Sequence, residues 1–111
     1  MNTLTKQKYQ YYDRVSTAID KVLRRIFGDE ATSVIYKHLE NQYSLKKDEI
    51  AEKIDVFTEG LEELLRSGAY VIEMKILEEI YLSHGSICRL EFERRRNEYD
   101  FVSQMKMLRM A

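Results

Sequence analysis

The chain has 111 residues, 44% of them hydrophobic and 33% charged, with one cysteine, four glycines, no proline and a net charge of −1. One cysteine excludes an intrachain disulfide or a zinc knuckle, and the lack of proline with few glycines argues against a turn-rich sheet protein. The apolar runs are too short to cross a bilayer and no apolar signal region follows the N-terminus, so the expectation is a cytoplasmic protein without membrane contact.

The charge is segregated along what reads as a single domain, 1–111. Residues 1–28 carry a net +4, residues 29–85 a net −7 and residues 86–111 a net +2. A basic helix, an acidic helical core and a basic C-terminal segment attract one another within a chain or between chains.

Taken in chain order, Tyr12, Val15, Ile19, Val22 and Ile26 recur at three and four residues and predict a long first helix with one apolar stripe. Gly28 ends it, and Asp29 is the expected N-cap of a second helix running to about Gln42 with Ala31, Ile35 and Leu39 inward. A short helix is expected over Asp48–Ile54. Asp55 would cap a further one carrying Phe57, Leu61, Leu64 and Leu65, stopped by Ser67-Gly68. The most apolar element is Ala69–His84, expected to be central and ended by Gly85.

Ala69, Ile72, Ile76, Leu77 and Ile80 form a wide apolar arc on that helix, and Glu73 lies in its middle. A carboxylate there is costly unless it is paired or hydrogen-bonded. Glu73 is therefore expected to be buried against a donor: a tyrosine, His38 or a backbone amide near Gly68.

From Cys88 the period changes to two, with Cys88, Leu90 and Phe92 alternating with Arg89, Glu91 and Glu93, the pattern of an extended arm. One continuous helix over 87–109 is the competing reading. Asn97 is the expected N-cap of a last helix with Phe101, Met105 and Leu108 inward. An isolated strand seeks a partner edge, so Cys88, Leu90, Phe92, Phe101, Met105 and Leu108 form the candidate interaction surface of a homodimer held by its ends.

Motifs for chemistry are sparse. Cys88, His38 and His84 have no nucleophile–base or metal-ligand spacing, and there is no glycine-rich phosphate loop, so neither catalytic residues nor a metal or cofactor are expected. Residues 48–66 fit the apolar mask of a helix-turn-helix, which makes a DNA-binding regulator the alternative. Against it, the presumed reading helix presents Glu59, Glu62 and Glu63 to phosphates, and Arg66 alone does not offset them.

The runs Ile35-Tyr36-Lys37-His38-Leu39-Glu40 and Tyr43-Ser44-Leu45-Lys46-Lys47-Asp48-Glu49-Ile50, with Phe57, Leu61-Glu62-Glu63, Gly68-Ala69, Ile72-Glu73, Ile76, Leu77, Ile80-Tyr81 and Gly85, carry a family resemblance. Over about residues 29–85 the chain resembles the Nitrosopumilus output domain family, fifth type. It departs from that pattern at Ala51 and Ile54, where the family tends to have proline, and at Ser44, where glycine is usual. The resemblance implies an archaeal, cytosolic, all-helical module found alone or attached to signalling proteins, with no catalytic residues to carry over. The fold expected is thus all-α, with four or five helices. The function expected is a non-enzymatic regulatory or protein-interaction module that self-associates, with an unidentified protein partner.

Overall fold

The computed structural model describes residues 3–84 and 100–110, with side chains over 10–82 and 100–106. It is all-α: α1 (Thr3–Tyr43), a three-residue 3-10 turn (Lys47–Glu49), α2 (Ile54–Leu65), α3 (Gly68–His84) and α4 (Phe101–Met110). Among the described residues there is no strand.

The run α1 is two helical arms broken at Gly28, whose φ of 85° and ψ of 172° lie where a side chain is strongly disfavoured. Glycine thus does end the first apolar stripe. The arms are tied together at Asp20, on the first arm. Its carboxylate accepts from the Tyr36 hydroxyl at 2.9 Å and from Arg24 at 2.9 Å, and pairs with Lys47 at 3.3 Å. Arg24 also reaches Asp29, at 2.9 Å. Burial alone would raise the Asp20 pKa, but the bonds from Arg24, Tyr36 and Lys47 outweigh it and hold the carboxyl below its usual range.

The core draws on every helix. Val15, Ala18, Ile19, Val22 and Leu23 come from the first arm of α1, Ile35 and Leu39 from the second, and Phe57 and Leu61 from α2. The register differs from the expected one at three places. Ile26 is exposed, Thr32 rather than Ala31 is buried on the second arm, and Leu64 lies on the outer side of α2. Each belongs to the edge of a stripe, where a one-residue rotation decides between core and solvent. Gly60 lies where α2 meets the second arm; a Cβ there would come within 2.4 Å of the Leu39 side chain and 3.2 Å of the Tyr43 ring.

The connection before α2 is tighter than the expected helix over 48–54. The Glu49 carboxylate accepts from the Lys46 backbone N–H at 3.2 Å and from Lys53 Nζ at 3.2 Å, which folds the segment into the 3-10 turn. The helix then starts at Ile54, one residue before the expected cap Asp55, and no side chain caps it. Its other end is turned by Arg66, at φ 55°, while Gly68 already belongs to α3.

As expected, α3 is central, packing on α1, α2 and α4. The helix α4 closes the core. Asp100 is its N-cap, accepting the Ser103 N–H at 2.8 Å. Asn97, the expected cap, lies outside the described residues. Phe101 and Met105 are buried, and the Tyr11 hydroxyl donates to the Met105 carbonyl at 2.9 Å. Those two side chains therefore do not form an interaction surface. They fill the chain's own core, because α4 needs its apolar stripe to dock on α2 and α3. The side chain of Leu108 and the arm residues Cys88, Leu90 and Phe92 lie outside the described residues.

Candidate functional site

The end of α2, the first turns of α3 and the start of α4 enclose a cleft of about 450 Å³. Glu62 and Arg66 border it from α2 and the turn after it, Tyr70, Glu73 and Met74 from α3, and Asp100 with Phe101 from α4. Asp100 and Phe101 are distant in sequence from the others, and the docking of α4 brings them together.

Glu73 is buried as expected, with 5% of its surface exposed. The expected donor is not there. No hydrogen bond reaches its Oε2 among the described residues, and its neighbours are carboxylates. Burial pushes its pKa up to about 7, with further contributions from the charge and the hydrogen-bonding reach of Glu62 and from the charge of Asp100. Near neutral pH the group therefore divides between acid and carboxylate. The protonated form resolves the cost of burial that the helical wheel exposes, since a carboxylic acid can donate a hydrogen bond to the Glu62 carboxylate.

Asp100 stays ionised beside it. The hydroxyl and backbone N–H of Ser103 hold its carboxyl below the usual range. The lining thus carries three acidic side chains against the single cation of Arg66. Among the described residues no three acidic, histidine or cysteine side chains converge closely enough to hold a metal ion.

His38, the other expected partner for Glu73, does not line this cleft. It sits on the second arm of α1 with its ring 6.3 Å from that of Tyr43, whose hydroxyl bonds to Glu63. His84 closes α3, and its side chain lies outside the described residues.

A second surface lies on α3. The inner arc of α3 is buried as expected, at Ala69, Ile72, Ile76, Leu77 and Ile80, yet Val71 and Leu82 are 54% and 55% exposed on the opposite side. Their spacing of eleven residues is close to three full helical turns and sets them on one line. On α2, Glu59, Glu62 and Glu63 are all exposed, so the presumed DNA-reading face is acidic in the folded protein. No helix among the described residues is long and apolar enough to cross a membrane. No family model, curated protein or solved structure matches the chain.

Proposed function

We propose that the protein is a non-enzymatic regulatory or signalling-associated interaction module that self-associates through the outward face of α3. One observation carries this reading. Val71, Lys75, Glu78 and Leu82 follow one another at four, seven and eleven residues, so they share an arc of about 60° on the helix. The stripe is its own complement. An antiparallel copy related by a two-fold axis between residues 76 and 77 sets Val71 against Leu82 and Lys75 against Glu78, each pair occurring twice. Among the described residues neither Lys75 nor Glu78 is engaged in an ion pair, whereas the neighbouring Glu79 bonds Lys21 at 2.8 Å and approaches Arg25 at 3.7 Å.

The association expected is weak and reversible, since its apolar contribution is small against the cost of bringing two chains together. Fully burying a Val or Leu side chain stabilises by about 1.5–3 kcal/mol, and these are already half-buried in the monomer. The interface is thus moved from the chain ends to α3, since Phe101 and Met105 are committed to the monomer core. The resemblance to the Nitrosopumilus output domain family belongs to the same proposal. A supporting feature is Ser44, which holds a left-handed φ of 52° where a glycine of that family would sit without strain.

Sedimentation equilibrium from about 10 to 500 µM tests the reading. A reversible dimer is expected, lost in Val71→Asp and in Leu82→Asp while helicity is kept. A monomer over the whole range, or variants that dimerise like the wild type, would refute it.

A further inference from the structure

We propose that α4 is a pH-gated lock: protonation of Glu73 docks it on α2 and α3, and ionisation of Glu73 releases it. Release would uncover Phe101 and Met105 and the apolar surface they cover, so the acidity of the surroundings sets whether that surface is available. The device is independent of the α3 dimer, whose stripe lies on the opposite side of the helix.

Three geometric observations converge on it. The first is where the carboxyl groups meet. Glu62 comes from the end of α2, Glu73 from α3 and Asp100 from the N-cap of α4, so the junction exists only while α4 is docked. The second is that Glu73 is poorly provided for as an anion there. It is 5% exposed, its Oε2 has no hydrogen-bond partner among the described residues, and Glu62 and Asp100 are acidic neighbours. Arg66, the one cation on the border, forms no ion pair among the described residues, and no residue of α1 borders the junction. Lys106 of α4 pairs instead with Asp55 of α2, at 3.6 Å. The third is that α4 is a small element. It has 10 residues, and it is anchored by Phe101, Gln104 and Met105 and by the Tyr11 hydroxyl on the Met105 carbonyl. Short elements with few buried contacts open before the whole domain does.

Protonated Glu73 can donate to the Glu62 carboxylate, so the docked junction is satisfied as an acid–carboxylate pair beside the ionised Asp100. Ionised Glu73 faces two further carboxylates with little access to water. Undocking gives it solvent and takes Asp100 away. Burial and these neighbours hold the docked group at about 7 against an ordinary 4.5. Between those values the docked state binds more protons than the released one. Docking is therefore firmest below about pH 4.5, weakens as pH rises towards 7 and levels off above it.

The test is amide hydrogen exchange of the whole chain by NMR from pH 5 to 8, each rate corrected for the intrinsic pH dependence of exchange. Protection of the α4 amides of 104–106 should fall by about tenfold per pH unit from 5 towards 7 and level off above, about a hundredfold in all. The α3 amides of 76–80 should stay about tenfold or more better protected, and only theirs should respond steeply to low concentrations of urea. Glu73→Gln should hold the α4 protection constant across the range. Asp100→Asn keeps a capping side chain and should shrink the loss of protection between pH 5 and 8, because Glu73 then ionises at lower pH. Protection of α4 that does not change with pH, the same pH dependence in Glu73→Gln, or α4 and α3 amides that exchange together at every pH would overturn the proposal.

Discussion

Replacing Glu73 by glutamine should make the protein more stable at neutral and alkaline pH. The carboxyl titrates near pH 7 in the folded protein against an ordinary value of 4.5. Between those two values the folded state binds more protons than the unfolded state, so stability is greatest below about pH 4.5 and falls as pH rises through 7. A shift of this size corresponds to about 3 kcal/mol at most, since each unit is worth about 1.4 kcal/mol. Glutamine keeps the shape, removes the charge and can donate its amide to the Glu62 carboxylate. The variant should therefore match the wild type within about 1 kcal/mol at pH 4 and exceed it by up to about 3 kcal/mol at pH 8. For a domain of this length that amounts to roughly 10 °C in melting temperature. Urea unfolding followed by circular dichroism at pH 4, 6 and 8 reads the difference directly, and taking the difference between the two proteins cancels the histidines. A gap between variant and wild type that stays constant across this range, or one that favours the wild type at pH 8, would show that Glu73 is not held in a proton-binding environment.

Three further substitutions probe how the fold is held. Gly28→Ala meets no atom within 4 Å, so its expected cost of about 1–3 kcal/mol comes from the backbone angle alone; a neutral result in thermal melting would mean that the break between the arms of α1 can be reshaped freely. Gly60→Val drives a branched side chain into Leu39 and Tyr43, and overpacking of about 1–3 kcal/mol should exceed the helix-propensity gain of under about 1 kcal/mol; unfolding at lower urea concentration is expected. Asp20→Asn weakens the tie among Arg24, Tyr36 and Lys47 and should cost about 1–2 kcal/mol at pH 7. Because the folded pKa of Asp20 lies below its ordinary value, the wild type's advantage is present above about pH 4 and vanishes as the pH falls through that lower pKa, which acid titration of both proteins checks.

The helices and the inner side of each were largely legible in the sequence, because three-and-four spacing reports on local geometry. Gly28 as a helix break and Ala69–Ile80 as the central apolar arc follow from residue types and period alone. The edges were less legible. Whether Ile26, Ala31 or Leu64 faces the core depends on how the two arms of α1 and α2 cross, and that is set by contacts such as Gly60 against Leu39. The cap of α4 was misplaced because Asn97 and Asp100 both have capping side chains, and only the bond from Ser103 identifies the one used.

At Glu73, burial was readable but the partner was not. A helical wheel shows that a side chain points inward without showing what meets it there. Glu62 and Asp100 come together only when α4 docks, and the same docking removes Phe101 and Met105 from the candidate interaction surface. The outward stripe of α3 had a readable signal in the eleven-residue spacing of Val71 and Leu82, obscured by the stronger inner arc.

The measurement that tests the central claim most directly is sedimentation equilibrium of two charge variants, alone and mixed in equal amounts. In Lys75→Glu the two-fold axis sets glutamate against glutamate, and in Glu78→Lys lysine against lysine, so each alone should be monomeric at concentrations where the wild type dimerises. The mixture restores an opposite charge at both pairs and should form the heterodimer with an affinity close to that of the wild type. Variants that dimerise alone as well as the wild type, or a mixture that stays monomeric, would contradict association through α3.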